Sequence, residues 1–173
     1  MIIPERTTNL DNSDSFNYTA PVNHNKLELK GQHTVNAKPE TLWKMLMDTE
    51  TLSKIIPGVS NLEKTGDNSY RSGLEINMGP IGTSFTGNAQ MEDIVEQKKF
   101  TLKMQQSNKM GHANSTMKVE LIPVGKTETE VVFDGEIKIT GLLATMGQKV
   151  LGKVADMLTK QFFANLDHEL AKQ

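Results

Sequence analysis

From residue 26 onward, hydrophobic and polar positions alternate with a period of two in one segment after another. Between Lys26 and Val35, the odd positions Leu27, Leu29, Gly31, His33 and Val35 face one way, and Glu28, Lys30, Gln32 and Thr34 the other. That is the pattern of a half-buried strand. The alternation returns at Leu74/Ile76/Met78, Phe85/Ala89/Met91, Phe100/Leu102/Met104, Met117/Val119/Leu121 and Val131/Phe133/Ile137/Ile139. Turn residues separate these runs: Gly66-Asp67-Asn68, Gly79 to Gly82, Gln97-Lys98, Asn108 to Gly111 and Gly125-Lys126. Six further strands are predicted, over Val59–Lys64, Tyr70–Met78, Thr83–Val95, Phe100–Gln106, Ala113–Ile122 and Thr127–Ile139. Links this short join antiparallel neighbours, and the clean alternation leaves one face wet.

Elsewhere the period lengthens to that of a helix. After the first strand, Asn36 to Pro39 opens a short helix that buries Leu42, Trp43, Leu46 and Met47, with proline in its first turn. A second short helix, Glu50 to Ile55, stops at Pro57-Gly58. The last stretch, Leu142 to Leu170, carries Met146, Gly147, Val150, Leu151, Val154, Met157, Leu158, Phe162, Leu166 and Leu170 at steps of three and four. It predicts one amphipathic helix of about 27 residues, about 40 Å long at 1.5 Å per residue. The order is strand, two short helices, six strands, long helix. This is an α+β helix-grip fold, in which a seven-stranded curved antiparallel sheet wraps a long C-terminal helix. A strongly curved sheet cannot touch a straight helix everywhere, so a pocket is expected between them.

Residues 1–24 are rich in Asn, Thr, Ser and Asp and show no periodicity, as expected of a disordered or loosely ordered tail. Residues 25–173 then form a single domain. In an up-and-down meander, alternate connections fall at opposite ends. The end shared by the two short helices gathers Ile56, Pro57, Pro80, Ile81, Met110, Leu142 and Leu143, and it is expected to be the pocket mouth or a docking surface, or else a plain cap on the barrel end.

Charge and composition narrow the function. The formal net charge of −2 gives no electrostatic footprint for nucleic acid. The absence of cysteine excludes disulfides, thiolate metal sites and cysteine nucleophiles. His24, His33, His112 and His168 are scattered without metal-ligand spacing, so no metal is expected. The N-terminus has no signal-peptide pattern and no apolar run approaches a membrane span, which fits a cytoplasmic protein. Aromatic residues are few, whereas methionine occurs ten times; it fills irregular or adaptable apolar space.

Several local sequences together resemble the carbon monoxide dehydrogenase G-subunit (CoxG) family of the START-like/SRPBCC (Bet v 1-like) superfamily, over about Leu29 to Leu170. They are Ile56-Pro57-Gly58 before a strand, Gly79-Pro80-Ile81 with Phe85-x-Gly87, Gly141-Leu142-Leu143-Ala144 with Gly147, and Phe162-Phe163-x-x-Leu166. The resemblance implies a non-enzymatic accessory protein of molybdenum hydroxylases of the carbon monoxide dehydrogenase type. It implies a role in membrane recruitment or electron-acceptor delivery, with a quinone or lipid in the cavity and no covalent cofactor. Longer members carry a C-terminal linker and apolar anchor. This sequence stops at Gln173, so peripheral contact at the inner face of the membrane is expected.

The predicted pocket residues are Trp43, Met78, Phe85, Met91, Met104, Met117, Phe133, Gly147, Leu151 and Phe162. On composition alone the methionines among them read as core filler; the helix-grip fold shifts that reading toward an adaptable lining. His33, Ser72, Gln106 and Ser115 fall on inner faces, where they either hydrogen-bond a polar ligand head such as a quinone carbonyl or are satisfied by neighbouring backbone or water. No catalytic residue stands out. Two alternatives remain: an enzyme of the polyketide cyclase/aromatase kind, which needs convergent polar groups in the pocket, and an adaptor whose core is filled by its own side chains.

Overall fold

A computed structural model of the protein describes residues 26–78 and 81–172, with Met78 and Ile81 described by backbone alone. The tail expected over residues 1–24 lies outside them. The chain runs β1 (Lys26–Val35), α1 (Pro39–Leu46), α2 (Thr49–Ile55), β2 (Val59–Lys64), β3 (Ser69–Met78), β4 (Ile81–Val95), β5 (Lys99–Asn108), β6 (Gly111–Val124), β7 (Glu128–Gly141), a 3-10 turn (Leu142–Met146) and α3 (Gln148–Leu170). All seven strands join one antiparallel sheet in the order β1-β7-β6-β5-β4-β3-β2. The hairpin links make each strand from β2 onward pair with its successor, and β1 closes onto the last strand.

The C-terminal element departs from the single helix predicted over Leu142–Leu170. Gly147 holds φ at +85°, a conformation that side-chain-bearing residues rarely adopt. It is the N-cap of α3 and separates the 3-10 turn from the helix. The break turns Leu143 inward, where it is 3% exposed, and leaves Leu142 63% exposed. Met157, expected on the buried stripe, also faces out, whereas Ala155 and Phe163 are buried.

Side-chain hydrogen bonds tie the helical layer to the sheet. Asn165 Nδ2 donates to the Ile55 carbonyl at the end of α2 (3.0 Å), and Gln148 Nε2 donates to the Lys26 carbonyl (3.0 Å). Thr129 Oγ1 donates to the Ala37 carbonyl (2.7 Å) and is fully buried. His33 Nε2 meets Asp167 Oδ2 at 3.1 Å, joining β1 to α3.

Asp48 caps α2: its Oδ2 accepts from the Thr51 backbone N–H (3.0 Å) and from Thr51 Oγ1 (2.6 Å). These bonds favour the carboxylate and hold its pKa below the usual value, the Thr51 hydroxyl contributing most. The stabilisation is complete above the unfolded-chain pKa of about 3.9 and is lost as pH falls through the lower folded value. Asp48→Ala is expected to cost about 1 kcal/mol at neutral pH. Asp48→Asn should retain most of the cap and lose less stability than wild type on acidification, as measured by urea unfolding at neutral and acid pH.

Candidate functional site: a cavity between helix and sheet

The interior packs as two groups rather than one. The larger joins α1 and α2 to Val35, Tyr70, Met91, Phe100, Leu121, Val131, Phe163 and Leu166. The smaller joins Phe85, Ile139 and Leu143 to Leu151 and Val154 at the start of α3. A cavity of about 260 Å³ is lined from both groups. Protein interiors hold few voids larger than a water molecule, so a space of this size is a feature of the fold and not a packing defect.

The concave sheet supplies one wall, including Leu29, Leu74, Ile76, Leu102, Met104, Met117, Phe133 and Ile137. Leu46, Leu52, Ile56 and Pro57 close it from the short helices, and Ala155, Leu158, Thr159, Phe162, Phe163 and Leu166 from α3. Period-two strands and a stripe of α3 bring these apolar side chains together. Ser115 and Thr159 are the polar members of the lining, and the Thr159 hydroxyl donates to the Ala155 carbonyl at 2.9 Å within the helix. Among the described residues, the lining contains no Asp, Glu, His, Lys, Arg or Tyr.

Of the predicted pocket residues, Met91, Met104, Met117, Phe133 and Phe162 line this cavity. Trp43 does not: it is 8% exposed in the larger core group, edge-on to Phe100 at 5.9 Å between ring centroids. Phe85 and Leu151 belong to the smaller core group. Gly147 caps the helix, with nothing within 4 Å of where a Cβ would stand. The side chain of Met78 lies outside the described structure.

The predicted mouth divides similarly. Ile56 and Pro57 line the cavity, whereas Met110 and Leu143 pack in the smaller core group and Leu142 points to solvent. Pro80 and the Ile81 side chain are outside the described residues. The 3-10 turn buries Leu143 at that end. The opposite end exposes Ile94, Val95, Ile122 and Val124.

The α3 contributions beyond Phe162 went unassigned in the sequence. Phe163 contacts His33 at 4.6 Å, Phe162 at 5.3 Å and Phe133 at 5.5 Å between centroids. Its spacing from Thr159 and Leu166, at i−4 and i+3, was the available signal. His33 is engaged with Asp167 and Phe163 and is not part of the lining. Of the other inner-face polar residues, Ser115 lines the cavity, and Gln106 Nε2 donates to Ser72 Oγ at 2.7 Å.

The family model for the G-subunit of carbon monoxide dehydrogenase (CoxG) matches residues 31–171. The chain belongs to the CoxG family. Among solved structures, this CoxG-family chain is similar to a conserved protein from Geobacillus kaustophilus, with 27% identity and a TM-score of 0.81, over 84% of this chain and 96% of that one. A START superfamily protein from Mycobacterium smegmatis aligns at 13% identity and a TM-score of 0.65, over 84% and 97% of the two chains. An aromatase/cyclase, Zhui, from Streptomyces sp. R1128 aligns at 12% identity and a TM-score of 0.63, over 83% and 93%. The last two likenesses concern the fold alone, which is START/Bet v 1-like. No curated protein matches the sequence. Among the described residues of this CoxG-family chain, no helix is long and apolar enough to cross a membrane. Nor do three or more His, Asp or Glu side chains gather as a metal site there.

Proposed function

We propose that this CoxG-family protein holds a hydrophobic small molecule, a quinone or a lipid, in the cavity between α3 and the sheet, without converting it. In that role it serves a molybdenum hydroxylase of the carbon monoxide dehydrogenase type at the inner face of the membrane, by recruiting it or by delivering its electron acceptor. The observation that carries the binding role is the cavity itself, about 260 Å³ with an almost wholly apolar lining. Each CH2 group brought in from water returns about 0.8 kcal/mol.

At about 30 Å³ per water-sized group, the space encloses on the order of nine heavy atoms, so a longer molecule is held over part of its length. An enzymatic role of the aromatase/cyclase kind needs a general acid or base within reach of the substrate, and among the described residues the lining has no titratable side chain.

The test is native mass spectrometry of the protein purified from its own host, followed by solvent extraction. A stoichiometric quinone or lipid is the expected result. A clean apo mass, together with no binding of added menaquinone or fatty acid, would overturn the proposal.

A further inference from the structure

One buried amide, two residues along β5 from the cavity-lining Met104, has an oxygen without a partner among the described residues. Gln106 is 5% exposed and Ser72 2% exposed, both on the concave face. Gln106 follows Met104 by two residues in β5 and so shares its face; Met104 is in the lining and pairs with Ser115, also in the lining. The register sets Gly87 between Ser72 and Gln106. With no side chain there, the Gln106 amide reaches two strands across, and its Nε2 donates to Ser72 Oγ at 2.7 Å. Its other end, Oε1, is buried with no hydrogen-bond partner among the described residues. Ser72 itself borders a small apolar recess that shares Met91, Leu102 and Met104 with the main cavity.

A buried carbonyl oxygen left unpaired is unfavourable, and native proteins seldom leave one without a reason. Met104, two residues before Gln106 in β5, lines the cavity, and its unbranched side chain repacks easily. Among the described residues Nε2 has a partner in Ser72 and Oε1 has none, so the atom left wholly unpartnered is an acceptor, and it calls for a donor.

We infer that Gln106 Oε1 is the polar recognition point of the cavity and that the preferred ligand carries a hydroxyl or protonated carboxyl donor at the end it buries. This rests on the carrier reading above and narrows it: a head group that only accepts hydrogen bonds, such as a ketone or the oxidised ring of a quinone, leaves Oε1 unpaired.

The probes are 1-octanol and 2-octanone, matched in heavy atoms and of the size the cavity encloses. The alcohol donates and accepts; the ketone only accepts. Titration calorimetry gives the octanol-to-octanone affinity ratio for the wild type and for Gln106→Met. Dividing one ratio by the other cancels the probes' own hydration. The expected quotient is about tenfold in favour of the alcohol in the wild type, or about 1.4 kcal/mol.

A quotient near one or below one overturns the assignment while leaving the carrier reading intact, since both probes still bind. Failure of the wild type to bind either probe removes both. Because Gln106→Met can alter folding, a second measurement uses the wild type alone. The Gln106 side-chain carbonyl carbon resonance should shift with octanol and stay in place with octanone; equal shifts overturn the assignment.

Discussion

Replacing Trp43 by alanine is expected to cost about 3–5 kcal/mol of folding stability. The indole is 8% exposed, lies within the larger core group and meets the Phe100 ring edge-on at 5.9 Å. Its loss opens a void where α1 packs on the sheet. Trp43 is the sole tryptophan, so unfolding of the variant should be followed in urea by far-ultraviolet circular dichroism. Trp43→Phe retains part of the packing and should cost less. Since Trp43 does not line the cavity, that variant should bind an apolar probe as the wild type does. Loss of probe binding in a folded Trp43→Phe protein would place the indole against the ligand instead.

The second large effect is on binding. Ala155 lines the cavity from α3 and is 5% exposed, so a phenylalanine there projects a ring into the space of about 260 Å³. Ala155→Phe is expected to weaken binding of a fatty acid or alkanol probe at least tenfold, equivalent to about 1.4 kcal/mol. Strain from the added volume should stay within about 1–3 kcal/mol, because the ring enters an existing void. Gly147→Phe supplies the contrast. A Cβ there would meet nothing within 4 Å and Gly147 is not in the lining, so probe affinity should hold. Stability should fall by about 1 kcal/mol or more, because φ there is +85°. Calorimetric titration of both variants beside thermal melts separates the two effects. Equal loss of affinity in both would refute this location of the binding space.

The contrast between these two positions shows where sequence reasoning reached its limit. Strand periodicity assigned inner and outer faces correctly because a pleated strand alternates strictly, whatever it packs against. Met91, Met104, Met117 and Phe133 were therefore placed on the concave face from sequence, and they line the cavity. The same parity put Phe85 inside, as the helical stripe put Leu151, but inside is not the same as beside the void. They fill the smaller core group, and nothing local distinguishes a side chain that meets another from one that meets empty space.

Helical periodicity was less secure. A glycine at a stripe position fits both a helix interior and a break, and only the positive φ at Gly147 decides for the break. That turn moved Leu142 and Leu143 to opposite environments.

By itself the sequence determined the element order, the antiparallel hairpin sheet, which strand faces point inward, and, through its dispersed motifs, the CoxG family. These follow from local rules of pleat, turn and periodicity, or from residues at fixed spacing. Only the tertiary structure decided how the core divides into two groups, which inner residues border the gap between them, and that His33 is engaged by Asp167 from 134 positions away. Only it showed the Gln106 amide reaching across Gly87 to Ser72 with one oxygen left over. Those outcomes depend on how far a curved sheet stands from a straight helix, a distance set by all the packed side chains together and by no single stretch of chain.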